Sequence, residues 1–215
     1  LPDEKIAKYP LAERHLSKLL VYQAGKMRED TYLQLHEYLP AKSLLIFNNT
    51  KVVAARLLFQ KATGGTIEIF CLEPDQQYSD ISTAMQEKGK VWWKCLLGGA
   101  KKWKETYLTK TITHNQTSII LQAKQINNGI DAYTIEFTWS DDTMSFAELL
   151  YHGGLIPLPP YLNRVAEVSD KERYQTIYAQ HEGSVAAPTA GLHFTPTIFK
   201  QLAAKNIHHQ FVTLH

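Results

Sequence analysis

The spacing of hydrophobic and polar positions changes near residue 65 and again near residue 155. Between these points, five short apolar runs are separated by turn-forming stretches, a pattern that predicts a small antiparallel β-barrel. The predicted strands are TIEIFCLE, KVWWKCLLG, TYLTKTITH, TSIILQAKQI and DAYTIEFTW. Within this region a short helix is predicted only around DISTAMQEKG.

The flanking regions mix strand and helix patterns. LSKLLVYQ predicts a strand, and EDTYLQLHEYL has helical spacing with Asp30 as the expected N-cap and Pro40 as the stop. SLLIFNNTKVVAARLLFQK predicts two strands around a polar corner at residues 48–50. SDKERYQTIYA predicts a further short helix.

Two helices carry clear start signals. Ser145 and Glu148 form a predicted capping box at the start of SFAELLYHGG. Thr195 is the expected N-cap of TIFKQLAAKN, with Pro196 at its first helical position. HHQFVTLH then predicts a strand that is still apolar where the chain ends, and we therefore expect a fragment of a longer protein.

The predicted fold class is α+β and mostly β. It consists of a discontinuous α/β outer domain at residues 1–64 and 155–215, incomplete at its C-terminus, with an inserted antiparallel β-barrel domain at residues 65–154.

Composition limits the function classes. With 44% apolar and 20% charged residues, the chain is not disordered, and its net charge of +2 does not by itself favour nucleic acid. Cys71 and Cys95 lie in strand-like runs and are expected to be reduced core thiols rather than a disulfide framework or zinc site. The polar start LPDEKIAKYP and the lack of an apolar run of ~20 residues predict a cytoplasmic protein that does not contact a membrane.

The polar corner is the first candidate site. Asn48, Asn49 and Thr50 have side chains suited to an adenine or ribose edge, and Lys51 and Arg56 to a carboxylate or phosphate. The alternative is an Asx-type corner followed by solvated basic residues. The residues of this corner, taken alone, slightly favour the structural Asx-type corner over a ligand site.

The second candidate is the segment SVAAPTAGLHFT. Small side chains let backbone amides approach a ligand closely, and His193 is the group here that can move protons near neutral pH. A tight structural loop with a hydrogen-bonded histidine explains the same composition.

A third candidate is the stretch KGKVWWKCLLGGAKKWKE. Lysines beside aromatic residues suit single-stranded nucleic acid, through phosphate contacts and base stacking. Buried tryptophans beside a solvated lysine turn are the alternative. HExxH, GxGxxG and P-loop motifs are absent from the sequence, and we expect neither a metal site nor a phosphate-binding nucleotide fold.

Taken together, six segments in one order resemble the S-adenosylmethionine:tRNA ribosyltransferase-isomerase family of queuosine biosynthesis. They are IFNNTKVVAARL, KATGGTIEI, PLPPYLNR, ERYQTIYA, VAAPTAGLHFT and FVTLH. The lead YPLAERHLSKLLV is also similar, with Lys18 where the family has arginine. The family continues past VTLH with a glycine-rich segment that this chain lacks.

The resemblance implies an enzyme, a transferase that uses S-adenosylmethionine as a ribosyl donor and needs no other cofactor. The ribosyl moiety is transferred and isomerised onto 7-aminomethyl-7-deazaguanine at the wobble position of tRNA with a G-U-N anticodon. Epoxyqueuosine forms, and adenine and methionine leave. We expect a monomer.

The resemblance also implies site residues. His193 is the first catalytic candidate and His215 the second. The expected substrate-binding residues are Arg14, Asn48, Asn49, Thr50, Arg56, Tyr161, Tyr174, Gln175, Thr176, Pro188, Thr189, Ala190 and Gly191. The expected RNA-binding residues are Lys94, Lys101, Lys102 and Lys104.

Three alternatives stay open. A noncatalytic RNA-binding module accounts for the lysine-rich stretch but not for the small-residue loop. An inactive fragment of the enzyme accounts for the missing C-terminal part. A methyltransferase that uses S-adenosylmethionine usually shows a glycine-rich loop after its first strand, and the sequence has none.

Overall fold

The computed structural model describes residues 2–129, 131–184 and 186–214, which divide into two compact units. The first unit holds the described residues up to 51, together with 158–181 and 187–214. The second holds 52–157 and 182–186. The units divide at 51/52 and 157/158, and the predicted domain boundaries at 64/65 and 154/155 stay predictions.

The second unit is built on a six-stranded antiparallel sheet with the strand order β5-β6-β7-β10-β9-β8. Its strands are β5 (Arg56–Gln60), β6 (Thr66–Pro74), β7 (Lys90–Gly98), β8 (Leu108–His114), β9 (Thr117–Asn128) and β10 (Tyr133–Trp139). The two edge strands approach each other, since Lys110 Nζ on β8 donates to the Leu58 carbonyl on β5 at 3.1 Å. The sheet is therefore a nearly closed barrel, and the mostly β fold class is confirmed.

Alternating apolar residues fill this barrel. Val91, Trp93 and Cys95 of β7 point inward, each at most 1% exposed, because successive strand residues face opposite sides of a sheet. Cys71 and Cys95 are free thiols whose sulfur atoms lie 4.0 Å apart in the core, as expected.

Two helices pack on the barrel, α2 (Ile81–Gln86) and α3 (Phe146–Gly153). The predicted capping box is confirmed at α3, where the Glu148 N–H donates to Ser145 Oγ at 3.3 Å and Ser145 N–H donates to Glu148 Oε2 at 2.8 Å. Phe146 enters the core, with its ring centroid 4.9 Å from that of Trp93.

The first unit combines a hairpin with a parallel strand pair. The hairpin is β1 (Lys18–Gln23) with β2 (Lys26–Thr31), and the parallel pair is β3 (Leu44–Asn48) with β12 (His208–Val212). Its helices are α1 (Leu35–Tyr38), α4 (Asp170–Arg173) and α5 (Pro196–Ala204). The strands β4 (Thr50–Val52) and β11 (His181–Ser184) pair with each other, and the chain passes between the units within them.

The small core of the first unit lies between β3 and α5. Phe47 of β3 packs with Ile198 and Leu202 of α5, and Phe194 and Ile207 complete the cluster. Pro196 begins α5 as predicted, but the Thr195 side chain makes no capping hydrogen bond.

The predicted helix from Asp30 is wrong. Residues 26–31 form β2 instead, a 3₁₀ turn follows at Tyr32–Gln34, and only Leu35–Tyr38 is α-helical. Ala24 and Gly25 have φ angles of 49° and 77°, the turn geometry that favours a tight hairpin. Cross-strand pairing with β1 therefore overrides the helical spacing, and Asp30 accepts the Thr31 N–H at 2.7 Å.

Within the described residues, no helix has both the length and the apolar character needed to span a membrane.

Candidate functional site

Two cavities in the first unit share the 3₁₀ turn Thr189–His193 as a wall. The first, of about 580 Å³, is named here the basic cavity because four cationic side chains line it. The second, of about 450 Å³, is named the aromatic cavity because four aromatic rings line it. Both volumes fall in the range of about 300–1,000 Å³ typical of small-molecule sites.

The basic cavity lies between the N-terminal segment and the segment around α4. Its charged and aromatic lining residues are Lys8, Tyr9, Arg14, Lys18, Tyr161, Arg173, Tyr174 and His193. Five of the predicted site residues therefore line the same cavity, namely Arg14, Tyr161, Tyr174, Thr189 and His193.

A buried ion pair holds the N-terminal wall in place. Arg164 and Asp170 form two parallel hydrogen bonds of 2.7 Å each, and Asp170 is 2% exposed. Arg164 also donates to the Lys8 carbonyl at 2.8 Å and stacks its guanidinium 4.6 Å from the ring centroid of Tyr9. Burial raises the pKa of the Asp170 carboxyl, but hydrogen bonds from Arg164 and from the Glu167 N–H outweigh it and hold that pKa below its ordinary value.

Arg14 fixes the backbone at the opposite end of the cavity. Its guanidinium donates to the carbonyls of Gln175 at 2.5 Å, Glu172 at 2.6 Å and Leu192 at 3.4 Å. Three parts of the chain are thereby joined, including the turn that carries His193. Arg14 therefore has a structural task in addition to the predicted substrate contact, which stays a prediction.

The aromatic cavity is enclosed by Tyr32, Phe47, Tyr178 and Phe194 and by the small residues 187–191. Phe47 is the centre of this cluster, with ring centroids 4.7 Å from Phe194 and 5.0 Å from Tyr178. Among the described residues that line it, none carries a charge.

Glycine is needed at position 191 because the turn passes very close to its neighbours. A Cβ atom there would overlap the Tyr178 hydroxyl and would lie 3.0 Å from Thr176 Cγ2. The Tyr32 hydroxyl donates to the neighbouring Ala190 carbonyl at 3.1 Å and closes the turn from the other side. Glycine is required at this position by the lack of space for a side chain, and not by unusual backbone angles.

Asn48 connects the polar corner to the aromatic cavity. Its Oδ1 accepts the N–H groups of Thr50 at 3.0 Å and Leu214 at 3.2 Å, and it lies 2.6 Å from Thr50 Oγ1. This is the Asx-type corner considered from sequence, and it locks the amide so that Nδ2 is the remaining polar group. Asn48 and residues 188–191 line one cavity, so the two predicted segments do meet.

Asn49 and Thr50 have mainly internal partners. Asn49 Oδ1 accepts the Thr213 hydroxyl at 2.8 Å, and Thr50 Oγ1 lies 2.5 Å from the Leu214 carbonyl. Both residues are buried, at 7% and 1% exposed. They tie the last described residues to the corner and so support Asn48, while their predicted contact with substrate stays untested.

His193 lies on the shared turn with its ring centroid 4.9 Å from that of Tyr32. Burial lowers the pKa of the imidazole and the charge of Arg14 acts in the same direction, while a hydrogen bond with the Arg14 backbone opposes them. Because the net shift is downward, His193 is mainly neutral at pH 7 and can accept a proton. The second catalytic candidate, His215, lies outside the described residues.

The remaining substrate-binding candidates are dispersed. Tyr174 is buried beside the basic cavity, and Thr176 is 4% exposed beside the turn at Gly191. Arg56 belongs to the second unit, where its Nε lies 3.0 Å from Glu68 Oε1.

The predicted RNA-binding lysines all belong to the second unit. Lys94 Nζ donates to Glu73 Oε1 at 2.8 Å, and Lys101, Lys102 and Lys104 are exposed. The stacking hypothesis is wrong for Trp93 and Trp103, which are 1% and 7% exposed. The RNA contacts of the lysines themselves stay a prediction.

Sequence reasoning did not find Tyr9, Arg164, Asp170, Arg173 or Tyr178. Four of them lie in segments that resemble the family, which was the available signal: Tyr9, Arg164, Arg173 and Tyr178. Nothing local connects Arg164 or Asp170 to Lys8 or Tyr9. Within the described part of the chain, no group of three His, Cys, Asp or Glu side chains is arranged to hold a metal ion.

The sequence is similar to known proteins over its whole length. The family model described as "Queuosine biosynthesis protein" matches residues 1–215. The S-adenosylmethionine:tRNA ribosyltransferase-isomerase of Trichlorobacter lovleyi is 39% identical over 217 residues, covering 100% of this chain and 58% of that protein. The protein of the same name from Magnetococcus marinus is 37% identical, covering 100% of this chain and 54% of its own length.

A solved structure, the S-adenosylmethionine tRNA ribosyltransferase of Thermotoga maritima, matches with 25% identity and a TM-score of 0.35. The match covers 100% of this chain and 56% of the solved one. The chain thus spans little more than half the length of the relatives it matches.

Proposed function

This chain belongs to the family of queuosine biosynthesis proteins, and from that premise we propose that it carries the ribosyl-transfer site of a tRNA-modifying enzyme. The ribosyl moiety of S-adenosylmethionine is transferred and isomerised onto 7-aminomethyl-7-deazaguanine at the wobble position of tRNA with a G-U-N anticodon. The products are epoxyqueuosine in tRNA, adenine and methionine.

The observation that carries this proposal is the aromatic cavity between Asn48 and residues 187–191. S-Adenosylmethionine has a cationic sulfonium, and aromatic rings attract a desolvated cation through their negative faces. Asn48 lines this cavity, and because its Oδ1 is occupied by internal hydrogen bonds, its Nδ2 group is the donor left for a ring nitrogen of adenine or a ribose oxygen. The donor molecule therefore occupies the aromatic cavity.

His193 is placed on the same turn to move protons. The sulfonium acidifies the neighbouring C5′ hydrogens, so that a base can begin the reaction by taking one. The tRNA amine attacks only when uncharged and has to lose a proton as its new bond to carbon forms. A neutral imidazole can accept such a proton, and general base catalysis of this kind is worth typically ~10²–10⁴-fold in rate.

The test is release of adenine and methionine from S-adenosylmethionine in the presence of substrate tRNA, followed by mass spectrometry. His193→Ala is expected to lower the rate by about 10²–10⁴-fold. His208→Ala is the matched control, since His208 is exposed on β12. Near-normal turnover by His193→Ala would end its catalytic role.

The same assay separates the alternatives. Methylated RNA with S-adenosylhomocysteine would identify a methyltransferase, and RNA binding without any turnover would identify a noncatalytic module or an inactive fragment. Either result would contradict the proposed activity of this chain.

A further inference from the structure

The basic cavity is lined by cationic residues, whereas the aromatic cavity has no charged residue among its described lining residues. Lys8, Arg14, Lys18 and Arg173 line the basic cavity, and no carboxylate is among its described lining residues. Assigning one of the two substrates of the proposed reaction to this cavity rests on the proposed function.

The hydrogen bonds of the two guanidinium groups go to backbone carbonyls. Arg14 donates to three carbonyls, and Arg173 donates to the carbonyls of Ala12, at 3.0 Å, and Leu11. In the part of the chain that the structure describes, no salt bridge joins either group to a carboxylate. Burial lowers the pKa of Arg14 and the nearby charge of Arg173 lowers it further, while the charge of Glu172 partly opposes them. Two like charges are therefore held close together at the cavity wall.

The two lysines add to this field. Lys18 Nζ lies 3.0 Å from Glu29 Oε1, but both side chains are exposed, at 79% and 64%, and such a surface pair offsets little of the charge. Lys8 is held at the cavity by its backbone, since its carbonyl accepts the Arg164 guanidinium at 2.8 Å. Among the described residues that line the cavity, the charged ones are therefore all cationic, while the nearby carboxylate of Glu167 accepts the Tyr9 hydroxyl at 2.8 Å.

This field selects between the two substrates. S-Adenosylmethionine carries a sulfonium and an ammonium against a single carboxylate, so that its net charge is positive and the basic cavity repels it. An RNA nucleotide carries a phosphodiester anion and a planar base. Phosphate is attracted by the lysines, and the base has aromatic rings available, including Tyr161 at 59% exposed.

We propose that the basic cavity binds a nucleotide of single-stranded RNA, with its phosphate held by Lys8 and Lys18 and its base against Tyr161. The aromatic cavity then keeps the donor, and the two substrates meet at the turn Thr189–His193, where Thr189 lines both cavities. His193 lines the RNA side, where the amine has to lose its proton. Sequence-independent contact with RNA is thereby assigned to the first unit, and not to Lys101, Lys102 and Lys104 of the second.

The experiment measures binding of a fluorescein-labelled anticodon-type RNA hairpin to the full 215-residue chain by anisotropy, over a series of salt concentrations. The Lys8→Gln/Lys18→Gln variant is expected to bind roughly tenfold more weakly. The slope of log K against log salt should fall by about 0.7 for each lost phosphate contact. Lys8→Arg/Lys18→Arg keeps the charge and should restore both quantities.

Matched variants identify the surface responsible. Lys200→Gln removes one charge from an exposed position on α5 in the same unit and should leave the affinity and the slope unchanged. Tyr161→Ala should weaken binding at least several-fold through lost base stacking, and Tyr161→Phe should not. Unchanged binding by Lys8→Gln/Lys18→Gln would overturn the proposal, as would loss of binding in a Lys101→Gln/Lys102→Gln/Lys104→Gln variant alone.

Binding of S-adenosylmethionine, measured by calorimetry on the same variants, separates this inference from the proposed function. If the donor binds and adenine is released, but RNA affinity does not depend on the basic cavity, the inference fails while the function stands. If the unmodified chain neither binds the donor nor releases adenine, the proposed function fails.

Discussion

Replacing Gly191 by alanine tests the construction of the shared turn most directly. The added Cβ would overlap the Tyr178 hydroxyl and would lie 3.0 Å from Thr176 Cγ2, closer than ordinary van der Waals contact. Tyr178 cannot easily move aside, because its ring packs against Phe47 at 5.0 Å and Phe199 at 6.0 Å between centroids. Overpacking of this kind costs about 1–3 kcal/mol of unfolding free energy.

The second half of the prediction is a rescue. Tyr178→Phe removes the atom with which the new methyl group collides, and this hydroxyl is in apolar surroundings, since burial raises its pKa to about 12. Tyr178→Phe alone should therefore change stability by less than ~1 kcal/mol. In the Gly191→Ala/Tyr178→Phe variant, much of the cost should disappear, giving a coupling of at least ~0.5 kcal/mol.

The assay has to report on the first unit. All four tryptophans, Trp92, Trp93, Trp103 and Trp139, belong to the second unit, so their fluorescence does not follow the turn. Amide hydrogen exchange of peptides from α5 and the turn measures local opening free energies instead. Affinity for S-adenosylmethionine, measured by calorimetry, should fall in parallel with these values.

Gly65→Ala is the matched control, because a Cβ there meets only Lys61 Cδ at an ordinary 3.9 Å. Unfolding of that variant, followed by tryptophan fluorescence, should stay within ~0.5 kcal/mol of the unmodified chain. Additive effects of Gly191→Ala and Tyr178→Phe would refute the reasoning, since they would show that the hydroxyl does not limit the space at position 191.

Three further outcomes are expected. Asp170→Asn should cost about 3 kcal/mol in the stability of the first unit measured by hydrogen exchange, because the Arg164 guanidinium, whose side chain is 10% exposed, loses its carboxylate partner. Since the folded pKa of Asp170 is depressed, the stabilisation by this pair is complete above pH ~4 and should vanish as pH falls through the folded pKa. Ser145→Ala should cost ~1 kcal/mol in urea unfolding followed by tryptophan fluorescence, while Ser82→Ala, at an exposed position on α2, should cost little. The imidazole of His193 should titrate below pH ~6.5 by NMR, and the stability that it contributes as a neutral group should be present above that pH and decline as pH falls through its folded pKa. A titration of His193 above pH ~6.5, or a stable Asp170→Asn variant, would contradict the description of the first unit.

Local patterns in the sequence were sufficient for most of the second unit. Alternation with period two identified β6, β7, β8, β9 and β10 because one face of each strand is buried in the barrel. The capping box of Ser145 and Glu148 was equally visible, since its hydrogen bonds join residues three apart. The family resemblance, which rests on six ordered segments, is confirmed by the match over residues 1–215.

The same local patterns misled where pairing partners competed. Residues 30–39 have helical spacing, yet β2 extends to Thr31 because the turn at Ala24 and Gly25 brings it against β1. The tryptophans beside the lysines looked available for stacking, but strand alternation turns Trp93 into the barrel. Propensity and spacing are weak where a tertiary partner is at hand.

The sequence by itself thus determined five of the six barrel strands and the helices α3 and α5, because each depends on neighbours a few residues apart. The two cavities were decided only by tertiary structure. Arg14 reaches Gln175, Arg164 reaches Lys8, and Asn48 reaches Leu214, and each of these hydrogen bonds joins residues more than 150 positions apart. No local periodicity encodes such distant contacts, and the separation into one cationic and one aromatic recess follows from them.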